Sequence, residues 1–391
     1  MPASTDVVQL RLSASPGPTP APNSIGGVSE RGVAISLFSG AGALDLGVEQ
    51  AGFRVAAAVE WNADAADTME KNAPEHFNGL REVLRADLAP LASGSSEGVQ
   101  TRDILRAGGL SGRERPELLV GGPPCVAFSK SGFWLDWKRD GLDPAASLLQ
   151  AYTRVLREAK PRAFILENVY ALTFRNRASG GAFDRLRREI DEAGYDYTFD
   201  VLNAADYGVP QLRPRLFMVG VRRGSQMPEL PGPTHHGQWE RRAVTGGPLP
   251  HVTAGEALAG LVTSPEPEEV IRGRWGHLLP GIPPGDNYLF YTERRGHPEP
   301  VFEWRSRYWS FLLKLDPSRP APTIQAQPGP NVGPFHWENR RLRVPELRRL
   351  FTYPDDFQFA GKRSAIQYQV GNSVPPLLAQ RVAEQVAAAL R

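Results

Sequence analysis

From Val33 onward, short apolar runs that end at a glycine or an acid alternate with amphipathic stretches. VAISLF (33–38) reads as a buried strand, and helical spacing begins after Gly42. FRVAAAV (53–59) reads as a second strand, followed by a helix over Ala63–Lys71 that Asn62 can cap. ELLVG (117–121) and AFILEN (163–168) follow the same pattern, with helices near Ala145–Ala159 and Ala182–Glu192. YDYTFDVLNA and RLFMVGVRR read as a closing antiparallel pair. Such alternation predicts an α/β fold, a mixed but mostly parallel sheet with helices on both faces. Beyond Arg223 the periodicity fades into a stretch full of Pro, Gly, Trp and Arg. It returns at Val344–Phe351 and in a final helix, Pro375–Leu390, whose leading prolines suit a first turn. The reading is a disordered tail over 1–32, an α/β domain over 33–222, a smaller irregular domain over 223–343, and a segment over 344–391 that rejoins the first domain.

Composition narrows the class. At 391 residues, with 41% hydrophobic and 23% charged, the chain has the make-up of a soluble globular protein with more than one core. No apolar run is long enough to span a membrane, and the N-terminus lacks the apolar region of an export signal. A single cysteine excludes an intramolecular disulfide, makes a zinc site a poor expectation and fits a reducing cytoplasm. The net charge is only +2, although 39 of the 45 basic residues are arginine. Arginine suits phosphate and guanine recognition, but a GC-rich genome produces the same bias.

The chemistry lies at strand ends. Phe38-Ser39-Gly40-Ala41-Gly42-Ala43 joins a strand to a helix, where glycines let a backbone approach a ligand and a helix start offers free N–H groups. Glu60 ends the next strand and can accept both hydroxyls of a ribose. This spacing also suits a nicotinamide dinucleotide, but Asp45 stands where the third glycine of that fingerprint belongs. A nucleoside cofactor without pyrophosphate, such as S-adenosylmethionine, fits better, with Asp87 suited to an adenine amino group. Gly121-Gly122-Pro123-Pro124-Cys125 then places the only cysteine on a rigid turn. Most free cysteines are small buried hydrophobes, yet cores seldom need such a turn. Glu167 ends the following strand, and in a doubly wound sheet these carboxyl ends converge on one crevice. Arg213 and Arg215, two apart on a strand, point the same way and can both face it.

With these residues in place, the chain resembles the bacterial DNA (cytosine-5) methyltransferases of restriction–modification systems. The similarity is carried in order by SLFSGAGALDLG, AVEWN, GGPPCVAFSKSG, ENVYAL, ADYGVPQLRPRLFMVG, NRRLRVPELRRLFTYPDDF and QVGNSVPPLLA. Ser36 departs from the usual Asp, Ala43 from Gly and Val126 from a frequent Gln.

The resemblance implies an S-adenosylmethionine-dependent (Rossmann-like) methyltransferase fold whose irregular domain recognises the target in double-stranded DNA. It implies base flipping, with Cys125 as nucleophile at cytosine C6, Glu167 as donor to N3, Arg215 on the base carbonyl and Arg213 nearer the phosphate. Phe38, Ser39, Gly40, Gly42, Ala43, Glu60, Trp61, Asp87, Leu88 and Pro123, with Asn372, Ser373 and Val374, would form the cofactor pocket, and no metal is implied. Val126–Asp143 would close over the site, with Ser129 and Ser131 near DNA and Trp134 and Trp137 either beside it or packing a hinge. The irregular domain carries 14 basic and 12 acidic residues, too slight a surplus to indicate DNA by charge. Its better signal is Arg294, Arg295, Arg305 and Arg307 among aromatics, most of which are expected in a core, joined by Arg340. His235-His236 reads as a surface pair. A partner restriction endonuclease, a monomeric state and a place with the cytoplasmic nucleoid are further expectations. An RNA cytosine methyltransferase lacks use for so large an irregular domain. A non-catalytic DNA-binding protein has no use for Cys125 and Glu167.

Overall fold

The computed structural model describes residues 32–124, 144–173, 181–237, 248–305 and 308–391. Its main sheet has seven strands: β1 Val33–Leu37, β2 Arg54–Val59, β3 Glu82–Leu84, β4 Leu118–Gly121, β5 Ala163–Val169, β6 Tyr195–Asn203 and β7 Pro214–Arg222. They lie in the order β3-β2-β1-β4-β5-β7-β6. The first five are parallel, whereas β7 runs back between β5 and β6 and is antiparallel to both. The α-helices among the described residues are, in chain order, α1 Ala43–Gln50, α2 Ala63–His76, α3 Ala89–Ala92, α4 Thr101–Ala107, α5 Pro144–Ala159, α6 Ala182–Glu192, α7 Ala254–Leu258, α8 Val344–Leu350, α9 Arg363–Asn372 and α10 Pro376–Ala389.

Period-two alternation divides the sheet's side chains between two cores. Ile35, Leu37, Val59, Leu119, Phe164 and Leu166 pack against α5 and α6. Ala34, Val55, Val120, Ile165 and Val219 pack against α1 and α10. The last helix joins this core because Leu378, Val382 and Val386 recur every four residues and form one apolar stripe. The strand order reverses between β1 and β4, and the carboxyl ends at such a reversal are where sheets of this kind bind their ligands.

The sequence pattern missed β3, α3 and α4, which are too short to display a period. It also stopped α2 at Lys71, whereas the helix continues to His76 through Pro74. A proline is tolerated there because Phe77 N still closes the last turn on Ala73 O at 3.1 Å. His235 and His236 are half-buried rather than a surface pair, since they form a short parallel ladder with Leu249–Pro250. The cores also do not divide at 223 and 344. Ala254, Leu258, Leu315, Ala321, Ile324 and Leu342 share one cluster with Ala43 and Leu46 of α1 and Met69 of α2. Only Leu279, Ile282, Tyr288, Leu312 and Phe335, with the aromatics around them, form a separate cluster. The tail (1–31), Cys125, and the Val126–Asp143 segment with Ser129, Ser131, Trp134 and Trp137 lie outside the described residues, as does Arg307.

Candidate active site

The β1–α1 turn is built against β2. Ser39 N donates to Val59 O at 3.2 Å, and both Phe38 and Gly40 take left-handed backbones at φ 55°. Glu60, just past β2, is buried, and its two carboxylate oxygens accept from Gly40 N at 2.7 Å and Asn62 N at 2.8 Å. Burial pushes its carboxyl above the ordinary carboxylate range, although these N–H donors pull the other way. A Cβ added to Gly40 would meet nothing within 4 Å, so the space before this turn is open to a ligand. Trp61, next to Glu60, is 67% exposed. Asp87 is exposed and accepts from Ala89 N at 2.9 Å, and Asn372, the last residue of α9, is exposed as well. Ala43, Leu88 and Val374 bury their side chains in the cores, and the Ser373 hydroxyl is taken up by Tyr353 at 2.6 Å and Gln369 O at 2.8 Å. Those residues have only backbone to offer a cofactor.

The second half of the site lies at the ends of β4 and β5. Asn168 Nδ2 donates to Pro123 O at 3.0 Å, which fastens the turn leading to Cys125 onto β5. A Cβ on Gly122 would lie 2.9 Å from Glu167 Oε2, so only glycine lets the chain pass this carboxylate undisturbed. Glu167 pairs across the ladder with Phe217, and Val169 with Arg215. Arg215 is therefore the diagonal neighbour of Glu167 on the same face. Its Nε lies 3.1 Å from Glu167 Oε1, and its Nη1 donates to Pro214 O at 2.8 Å. Burial raises the Glu167 carboxyl above its ordinary range, while Arg215 and then Arg213 oppose that rise.

Arg213 corrects an expectation. It is fully enclosed, with Nη2 donating to Gly371 O at 2.6 Å and Nη1 to Ile324 O at 3.2 Å. A guanidinium sealed by two carbonyls and the Phe351 ring, 5.0 Å away, has no approach to a phosphate. Arg340 is corrected likewise: its guanidinium is held by Glu346 at 2.7 Å and Glu338 at 2.9 Å and is largely covered. Arg294, Arg295 and Arg305 are exposed. Arg294 lies 4.3 Å over the Trp304 ring, Arg295 reaches Asp286 at 2.7 Å and Arg305 reaches Glu303 at 3.3 Å. Among the neighbouring aromatics, Tyr288 and Phe302 pack in the separate cluster as expected, whereas Trp304 and Trp309 are 44% and 48% exposed.

One participant, Asn168, escaped the sequence reading, and two residues it did name, Ser39 and Asp45, act in ways it did not expect. Asn168 stood beside Glu167, and an amide directly after a strand-end acid was its only signal. The Ser39 hydroxyl donates to Ser36 Oγ at 2.8 Å under the cofactor turn. Asp45 is fully buried, and burial lifts its pKa from 3.8 to about 7 against the pull of the Ser36 hydroxyl and its own backbone N–H. An acid flanked by Leu44, Leu46 and Gly47 in a helix packed on both sides was the available sign.

A sheet whose seventh strand turns back between the fifth and sixth defines the S-adenosylmethionine-dependent methyltransferase fold. Solved structures share it: a prophage-encoded E. coli chain, over 92% of this chain and 99% of that one, at TM-score 0.59 and 22% identity. The Entamoeba histolytica methyltransferase EhMeth matches over 92% and 98% at TM-score 0.56 and 16% identity. The chain belongs to the C-5 cytosine-specific DNA methylase family, whose profile matches residues 33–388, and it is a DNA (cytosine-5) methyltransferase. It is 47% identical to the Type II methyltransferase M.SacI of Streptomyces achromogenes, over 87% of this chain and 89% of that protein. It is 33% identical to the Type II methyltransferase M1.HphI of Haemophilus parahaemolyticus, over 90% and 86%. No helix among the described residues is long and apolar enough to cross a membrane.

Proposed function

We propose that the protein methylates cytosine within one short sequence of double-stranded DNA, protecting that sequence from a partner restriction endonuclease, with Cys125 and Glu167 as its catalytic pair. The observation that carries the assignment is the packing of Glu167 against Gly122 and Arg215, three residues before Cys125 on a turn fastened by Asn168. Cys125, as thiolate, adds to C6 of a cytosine flipped from the duplex. The protonated Glu167 donates to N3, so the ring accepts the electron pair, and Arg215 holds the base carbonyl. C5 is thereby made nucleophilic and takes the methyl group. Loss of the C5 proton and elimination of the thiolate then restore the ring. S-adenosylmethionine, when bound, supplies the methyl as a sulfonium that leaves as a neutral thioether. Its adenosine would lie between Phe38 and Trp61, its ribose on Glu60, its adenine amino group near Asp87, and its tail before Gly40 and Asn372. The open space before Gly40 and the buried Glu60 carboxylate fit such a group. Arg294, Arg295 and Arg305, exposed beside Trp304, are the DNA contacts this reading favours.

The test incubates wild type and Cys125→Ser with unmethylated DNA and S-adenosylmethionine, followed by nucleoside mass analysis and bisulfite sequencing. 5-Methylcytosine from wild type alone, at one sequence, is the expected result. Transfer to RNA instead, to an exocyclic nitrogen, or undiminished by the serine, overturns it. Gly122→Ala should lower kcat about 100-fold by displacing the Glu167 carboxylate, with the melting temperature nearly unchanged. Steady-state kinetics beside thermal denaturation checks this.

A further inference from the structure

Arg213 has no work left in the mechanism, yet the chain keeps a cation in its interior at this point. Desolvation pushes its pKa well down, and no carboxylate is bonded to it. Its partners are the Gly371 and Ile324 carbonyls, Gln211 Oε1 at 3.4 Å and the Phe351 ring. Replacing such a charge by an apolar side chain is often no loss to stability. The three segments that it joins suggest what it does instead.

The first segment is its own. Residues 210–213 lead straight into β7, and Arg215, two residues on, pairs with Glu167. The second is the strip 321–324, which lies along the first: Leu212 N donates to Ala321 O at 2.8 Å, Ala321 N to Pro210 O at 2.9 Å, and Thr323 Oγ1 to Leu212 O at 2.6 Å. This strip continues into Gln325–Pro328, which line a cleft of about 770 Å³ with Trp61 and Lys362 on other walls. The third is the end of α9, where Gly371 precedes Asn372, Ser373 and Val374. A Cβ on Gly371 would stand 2.3 Å from the Ala326 backbone, so the second and third segments touch main chain to main chain.

We propose that Arg213 is a positioning residue that ties the base-side strand, the cleft strip and the cofactor-side turn together, so that cofactor and DNA sense each other's binding. Its planar fork makes this possible, because Nη1 and Nη2 bond carbonyls from two different segments while the base of the side chain is fixed in the third. A lysine has no such fork. The inference rests on the proposed placement of cofactor and DNA.

The experiment measures S-adenosylhomocysteine affinity by calorimetry, with and without an unmethylated duplex carrying the site that bisulfite sequencing identifies. Wild type, Arg213→Lys and Arg213→Met are compared. In wild type the duplex should tighten S-adenosylhomocysteine binding by about 10-fold or more, within the usual range for coupled sites. Both variants should reduce that factor to about 2-fold or less, while each ligand alone binds within a few-fold of wild type. Coupling that survives in both variants overturns the proposal, as does recovery with lysine, which would reduce Arg213 to its charge. If Arg213→Met fails to fold, Arg213→Lys alone decides between these outcomes. Wild type that binds neither ligand refutes the functional reading itself, a result distinct from binding without coupling.

Discussion

Glu167→Gln should lower kcat by about 10²–10⁴-fold, the usual contribution of a positioned general acid, with cofactor and DNA affinities nearly unchanged. Gln can still accept from Arg215 Nε, which lies 3.1 Å from Oε1 in wild type, so the geometry is kept and only the proton is lost. On the proposed mechanism the active form of Glu167 is the protonated one, and burial raises its pKa in the folded enzyme. The wild-type rate should therefore fall as pH climbs through that raised pKa, and this alkaline limb should vanish in the variant. Single-turnover methylation across pH reads both. An alkaline limb of the same position and depth in Glu167→Gln would remove Glu167 from the role.

The second large effect concerns stability rather than turnover. Asp45 has a pKa of about 7 in the fold against an ordinary 3.8, because burial cuts its carboxylate off from water by more than the Ser36 hydroxyl and its own backbone N–H offset. In the unfolded chain it ionises from about pH 4 upward, whereas in the folded chain it holds its proton to about pH 7. The unfolded state therefore binds fewer protons across that window, and folding stability is lost as pH rises through it. The full shift is worth about 4 kcal/mol once both states are ionised. Asp45→Asn cannot ionise. Relative to wild type it should gain about 1.4 kcal/mol per pH unit between pH 4 and 7, and the gain should level off above that. Urea denaturation of both proteins at several pH values measures it. A stability difference that stays constant with pH would show that Asp45 is ionised in the fold at acid pH.

Much of this architecture was legible in the residues, for identifiable reasons. β1, β2, β4 and β5 are buried on both faces and write mainly apolar runs, which break at the Phe38–Gly42 turn after β1, at Glu60 after β2, at Gly121 ending β4 and at Glu167 near the end of β5. β3, with three residues and one buried side chain, has no pattern to read. The roles of Arg213 and Arg215 could not be separated by spacing. Both leave the chain in the same direction, and what divides them is contributed by Ile324, Gly371 and Phe351, more than a hundred residues away. Arg340 differs in that its partner is near in sequence: Glu346, six positions on, is buried and claims it, but spacing alone does not show which way the arginine turns. Trp304 and Trp309 show the converse, since an aromatic run gives no sign of which members the cluster around Tyr288 will leave outside.

The packing of α10 on α1 also sets an order of events at the ribosome. Leu44 and Val48 emerge early, but the stripe of Leu378, Val382 and Val386 that covers them comes more than three hundred residues later. At about 5–20 residues per second this is a delay of roughly 15 to 65 s. Until then the nascent chain carries an uncovered apolar face beside its cofactor turn, a natural client for a holdase. The strip, the aromatic cluster and the exposed arginines are all synthesised within that interval. A chain able to close this core has therefore already been synthesised through the strip, the aromatic cluster and the exposed arginines, and a product truncated before α10 cannot close it.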